Sequence, residues 1–221
     1  MWKMSSREPM TSADRRKPVI GIIGAPGSGK SSVAAEFAKH GGRIIAGDVL
    51  GHEALMQSEI RQQVIEHFGK EIIAVDGSIN RKKLGAKVFA DVTERRALET
   101  LVHPYIERRI AKEIDNANKA ADVAFIVLDA AIMLETGWNN VCDKLVYIDV
   151  PRATRLDRLV QQRGWSEKEV AARESAQMSL TDKLSKADFV VDNSGTGEQT
   201  AQQVRNLLQE LGLNQTREQR I

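Results

Sequence analysis

Residues 19–32 read Val-Ile-Gly-Ile-Ile-Gly-Ala-Pro-Gly-Ser-Gly-Lys-Ser-Ser, and this stretch constrains the chain more than any other. Val19 to Ile23 is a short apolar run rich in β-branched residues, the pattern of a buried strand. Gly24 to Ser31 then fits the spacing Gly-x4-Gly-Lys-Ser/Thr. Glycines at 24, 27 and 29 free the backbone to curl, so that successive N–H groups face one concavity. A helix opening near Lys30 adds its own donors and dipole. Ala25, Pro26, Gly27, Ser28, Gly29, Lys30, Ser31 and Ser32 are therefore the candidate nucleotide contacts. In this pattern the lysine reaches the terminal phosphates and the Ser31 hydroxyl meets Mg²⁺. The competing reading is a glycine-rich turn that binds nothing. The order strand, loop, helix favours the phosphate loop.

The rest of the chain is read around that loop. With 221 residues and 42% hydrophobic content it has enough apolar material for one domain with insertions. A net charge of +2 gives no electrostatic reason to expect a nucleic-acid partner. The single cysteine, Cys142, excludes an internal disulfide, fits a reducing compartment and reads as a buried small hydrophobe. No apolar run is long enough for a membrane span. Residues 1–17 carry five basic side chains without an apolar stretch, so they read as a disordered tail, not a secretory signal. Residues 214–221 read as a frayed C-terminal tail.

Helix is expected from Lys30 to His40, ended by Gly41-Gly42. Arg43 to Ala46 is a second strand, and Gly47-Asp48 follows at the edge of the sheet where ligands sit. From His52 to Lys119 the spacing is helical, with a small turn or extended piece at 72–77 and a kink or break beside His103 at Pro104. Residues 52–119 are thus a helical insertion for a second substrate. Further strands are expected at Val123 to Leu128, Lys144 to Val150 and Asp188 to Asp192. Helices are expected at Arg152 to Gln162, after a capping box at Ser166, and from Thr196 to Leu211. Strands alternating with helices imply a three-layer α/β fold with a five-stranded parallel sheet. Residues 152–187 hold clustered arginines and few large apolar side chains, so a loosely packed lid is expected there.

Several elements occur in a fixed order. They are the phosphate loop, Gly47-Asp48, Asp76 to Arg81 with Phe89, His103-Pro104-Tyr-Ile106, Asp129 to Glu135, and Ala187 to Gly195. Together they resemble the dephospho-coenzyme A kinase family over roughly residues 18–212. The resemblance implies a phosphate-loop kinase with a helical substrate-binding insertion and a lid. It also implies ATP and Mg²⁺ as cofactors, and phosphorylation of the ribose 3′-hydroxyl of dephospho-coenzyme A. No nucleic-acid or membrane partner, a monomer or weak oligomer, and a cytoplasmic location are expected.

Asp48 is the candidate base, from its sheet-edge position and from the resemblance; the other reading is a helix N-cap. Asp129 resembles the acidic residue that holds Mg²⁺ through water, and a plain hydrogen-bond acceptor is the alternative. Arg81, His103 and Arg109 are candidates for the substrate's phosphates or ribose, although His103 next to proline also fits a helix end. Glu135 enters as a substrate contact by resemblance alone. Arg163 and Asn193 are candidate nucleotide contacts. The arginines from 152 to 163 fit either a solvated helix face or a source of positive charge for the transferring phosphoryl group.

Overall fold

The computed structural model describes residues 16–213. The expected tails at 1–15 and 214–221 lie outside them. Arg16 and Lys17, expected in the first tail, are bonded into the fold: Arg16 pairs with Asp143 at 2.5 Å, and the Lys17 N–H donates to Asn118.

The first half of the chain runs β1 (Val19–Gly24), α1 (Lys30–Ala38), β2 (Gly42–Ala46), α2 (Gly47–Met56), α3 (Ser58–Phe68), α4 (Arg81–Ala90) and α5 (Val92–Lys119). It continues β3 (Phe125–Asp129), β4 (Lys144–Asp149), α6 (Arg152–Arg163), α7 (Glu167–Ser175), α8 (Leu180–Ser185), β5 (Phe189–Asp192) and α9 (Gly197–Glu210). The strands form one parallel sheet in the order β2-β3-β1-β4-β5. The chain leaves β1 for β2 and returns to place β3 between them, so a crevice opens at their C-terminal ends. Register puts the candidate groups on that edge: Ile22 and Ala46 both align with Asp129, and Gly24 aligns with Ile148.

Alternation along the strands builds the two outer layers. Val19 and Ile23 face a cluster with Leu50, Ile106 and Ile110 from α2 and α5. Ile20 and Ile22 face the other side, with Phe37 of α1 and Val204 and Leu208 of α9. Burying each such side chain contributes about 1.5–3 kcal/mol. A third cluster (Val64, Phe68, Ile72, Ile79, Leu84 and Val88) lies within the insertion and gives it a core of its own. Cys142 is half-buried, its Sγ 3.8 Å from Met133 Sδ. Burial pushes its thiol up to about 12.

Three local readings change. Of the kink or break expected at Pro104, the break does not occur: α5 runs through it for 28 residues. Proline removes one N–H donor, but Val102, Ile106, Ile110 and Ile114 hold both halves of the helix in the core. The helical pattern from Leu55 to Phe68 is two helices, separated at Gln57, whose backbone is extended (ψ 127°). The segment 152–187 is also more firmly seated than expected. Leu159, Val170, Arg155 and Lys183 are buried there, two of them cations anchored by ion pairs. The capping box at Ser166 is present, with Glu169 as its partner.

Candidate active site

The loop after β1 turns at Gly27 (φ 78°) and Gly29 (φ 80°), a backbone region that side chains disfavour. At Gly27 a Cβ would lie 2.7 Å from the carbonyl oxygen of Arg155. The turn delivers the chain to α1 with Gly29 as its N-cap and no side chain covering the helix end. The donors and dipole of that end face the loop, as phosphate binding requires. Asn193, in the loop after β5, braces this curl. Its amide donates to the Ser28 carbonyl at 2.8 Å and its Oδ1 accepts from Thr200 at 2.9 Å. Arg158 Nη2 donates to the Asn193 carbonyl at 2.9 Å.

Lys30 Nζ donates to the carbonyls of Gly24 and Ala25, each at 3.1 Å. Burial is the main reason its pKa falls to about 8. The charges of Lys183 and Arg163 push the same way, while Asp129 and Asp48 oppose them. An ammonium so placed gains most from an arriving anion. ATP affinity is therefore expected to weaken as pH rises through about 8, by up to about tenfold per unit, with proton uptake on binding above that pH. Calorimetry in buffers of different ionisation heat checks this; pH-independent affinity between 7 and 9.5 contradicts it.

Ser31 Oγ donates to Asp129 Oδ2 at 2.8 Å. Burial raises the Asp129 pKa, opposed by the Ser31 hydrogen bond and the charge of Lys30. Among the described residues no group of three or more His, Cys, Asp or Glu side chains is placed to hold a metal. A touching hydroxyl and carboxylate beside the phosphate loop nevertheless fit Mg²⁺. That ion takes few protein oxygens and fills its shell with phosphates and water.

Asp48 lies in the first turn of α2, exposed, and its carboxylate forms no hydrogen bond to another described residue. The N-cap of α2 is Ala46, so the capping reading of Asp48 does not hold. Its charge acts on both Lys30 and Asp129. Arg163 is exposed, 5.2 Å from the Trp165 ring centroid, and its charge also acts on Lys30.

The other candidates lie on three further stretches of chain: α4, α5 and the loop after β3. Arg81 opens α4 and is exposed. His103 lies inside α5, not at a helix end, with its ring 5.3 Å from Trp138. Burial lowers its pKa against the pull of Glu99 and Glu107. Arg109 is held by Glu53 at 2.5 Å and Glu113 at 3.1 Å, and donates to the Tyr105 hydroxyl at 3.2 Å. Glu135 pairs with Lys183 at 3.0 Å and accepts from the Met178 N–H at 2.7 Å, tying the link before α8 to the loop after β3.

Two supporting residues carry no distinguishing sequence signal. Lys183 is 1% exposed and donates to the Ala131 carbonyl and Gln177. Arg155 is 2% exposed and donates to the carbonyls of Val150 and Pro26 and to Glu174 at 2.5 Å. Arg155 thus braces the phosphate loop from α6. Arg155→Ala takes the donor from two carbonyls and the nearer cation from Glu174, which keeps Arg152 at 3.2 Å, and a loss of about 1–3 kcal/mol is expected. Denaturant unfolding reads this directly; an unchanged midpoint would remove the brace.

A phosphate loop between β1 and α1, with carboxylates on the same edge of a parallel sheet, defines a phosphate-loop kinase fold. Residues 18–199 match the model of a family described as dephospho-CoA kinase, and the chain belongs to that family. The sequence resemblance drawn from the ordered motifs is borne out. A dephospho-CoA kinase of Bacillus licheniformis is 37% identical over 191 residues, covering 86% of this chain and 94% of that one. One of Oceanobacillus iheyensis is 36% identical over 198 residues, covering 89% and 98%. A crystal structure of a Thermus thermophilus protein superposes with a TM-score of 0.73 at 29% identity, covering 89% of this chain and 99% of that one. The dephospho-CoA kinase of Campylobacter jejuni gives 0.63 at 25% identity, covering 87% and 96%. No helix among the described residues is long and apolar enough to cross a membrane.

Proposed function

We propose that the protein transfers the γ-phosphoryl group of ATP to the ribose 3′-hydroxyl of dephospho-coenzyme A, giving coenzyme A. The observation that carries this reading is the meeting of Lys30, Asp129 and the unpartnered Asp48 at one sheet edge, in a chain of this family.

Phosphoryl transfer depends mainly on positioning and on neutralising charge. The loop amides and Lys30 hold the β- and γ-phosphates. Ser31 and Asp129 would hold Mg²⁺, which would supply further charge neutralisation. Asp48 accepts the hydroxyl proton as the 3′-oxygen bonds to the γ-phosphorus and the bond to the β–γ bridging oxygen breaks. ADP leaves with that electron pair. Asn193 and Arg163 complete the nucleotide side, and Arg81, His103, Arg109 and Glu135 are assigned to the acceptor. For Arg109 and Glu135 this assignment requires the present ion pairs to exchange for substrate contacts. Residues 52–119 are the acceptor-binding insertion and 152–187 the lid. The single cysteine and an ATP-dependent reaction support a cytoplasmic location, and the net charge of +2 gives no electrostatic reason for a nucleic-acid partner; a monomer or weak oligomer is proposed with them.

A coupled ADP-release assay with dephospho-coenzyme A, against adenylate, gluconate and uridine, tests the reading. Turnover confined to dephospho-coenzyme A is expected. Preference for another acceptor points to a different kinase of this fold, and ATP binding without turnover points to a regulator.

A further inference from the structure

Phe89 is one of the sequence elements that carry the family likeness, yet the reaction just described does not use it. Its ring lies against Arg173 of α7, with the guanidinium carbon 4.3 Å from the ring centroid. The same guanidinium lies 3.8 Å from the ring centroid of Trp165, in the link between α6 and α7. Both distances are well inside the range of about 6 Å for cation–π attraction. Side chains from the helical insertion and from the segment 152–187 therefore converge on one cation.

The surroundings agree. Arg173 forms no ion pair among the described residues, and its hydrogen bond goes to the Glu169 carbonyl of its own helix at 3.2 Å. Burial is the main influence on this guanidinium and lowers its pKa. Arg173 also lies close to α4 at Gly85, one turn before Phe89: a Cβ there would lie 3.9 Å from Arg173 Nη2, an ordinary contact. Lys82 of α4 brings the opposite charge to Glu169 of α7.

We propose that Arg173, stacked on Phe89 and Trp165, is a positioning residue that clasps the helical insertion to the α6–α7 segment and sets the spacing of the acceptor cleft. The acceptor's identity rests on the function proposed above; the clasp rests on the geometry alone. A flat, weakly hydrated guanidinium keeps favourable contact as it slides across a ring, whereas a bidentate ion pair does not. Such a contact holds two walls together while tolerating small shifts between them.

The test is a double-mutant cycle in the full chain with Phe89→Leu and Arg173→Lys. Leucine keeps apolar bulk without a ring; lysine keeps charge without a flat stacking face. Each single variant is expected to raise the KM for dephospho-coenzyme A about three- to thirtyfold while kcat and the KM for ATP stay within about twofold. The double variant should resemble the more impaired single, because both remove one shared contact. Hydrogen exchange supplies a readout that does not need turnover. Phe89→Leu should speed exchange in residues 167–175, and Arg173→Lys should speed it in residues 81–90. Additive kinetic effects, or exchange changes confined to each variant's own helix, overturn the clasp. A normal KM in Arg173→Lys also overturns it and makes charge the working property. If the wild-type chain does not turn over dephospho-coenzyme A, the functional reading fails and the exchange experiment alone decides the clasp.

Discussion

Lys30→Ala is expected to leave the fold standing and lower kcat by something on the order of 10³, since a preorganised charge aimed at the developing transition state is removed. The structure explains why folding survives. The hydrogen bonds of Lys30 go to two carbonyls of its own loop, Gly24 and Ala25, and to no other element. Val33, Ala34 and Phe37, not Lys30, seat α1 in the core. Burial already holds Lys30 below the usual lysine pKa, so its removal relieves a local cost and slight stabilisation of the unliganded protein is expected. Loss of activity together with an unchanged or raised melting temperature is the combined signature. Near-normal turnover with unchanged circular dichroism would contradict the role given to the phosphate loop.

The parts of the site visible in sequence are those whose geometry follows from neighbouring residues. The phosphate loop is local: the glycines that permit positive φ and the lysine that follows them lie within one turn of chain. The placement of Asp48 and Asp129 was also legible, because a residue just after a parallel strand reaches the ligand edge whichever helices follow. Arg155 and Arg173 were not legible. Both lie in a stretch where arginine usually marks a solvated face, and their burial depends on partners from other elements. Phe89 for Arg173 and Pro26 for Arg155 are brought near only by the tertiary fold. Lys183 was hidden for the same reason: α8 is six residues long, too short for a helical period to show. The continuity of α5 through Pro104 is a case of core packing outweighing the loss of one backbone donor.

Asp48→Asn separates chemistry from structure at the acceptor edge. Because Ala46 and not Asp48 caps α2, the structural alternative narrows to a favourable charge in the first helical turn. That effect is worth about 0.3–1 kcal/mol at an exposed position. It predicts a small drop in melting temperature and normal turnover in the Asn variant. If Asp48 accepts the proton of the 3′-hydroxyl, kcat falls by something on the order of 10² or more, because the amide keeps the size but not the basicity. ATP affinity should change little, and in the direction of tighter binding, since an anion near the phosphates has been removed. The unpartnered, exposed carboxylate favours the chemical role: no described neighbour holds it as a structural strut. Single-turnover rates with saturating ATP, measured beside the melting curve, give the answer. An active Asp48→Asn protein would take Asp48 out of the proton transfer and leave the reaction to positioning by Lys30 and the Ser31–Asp129 pair.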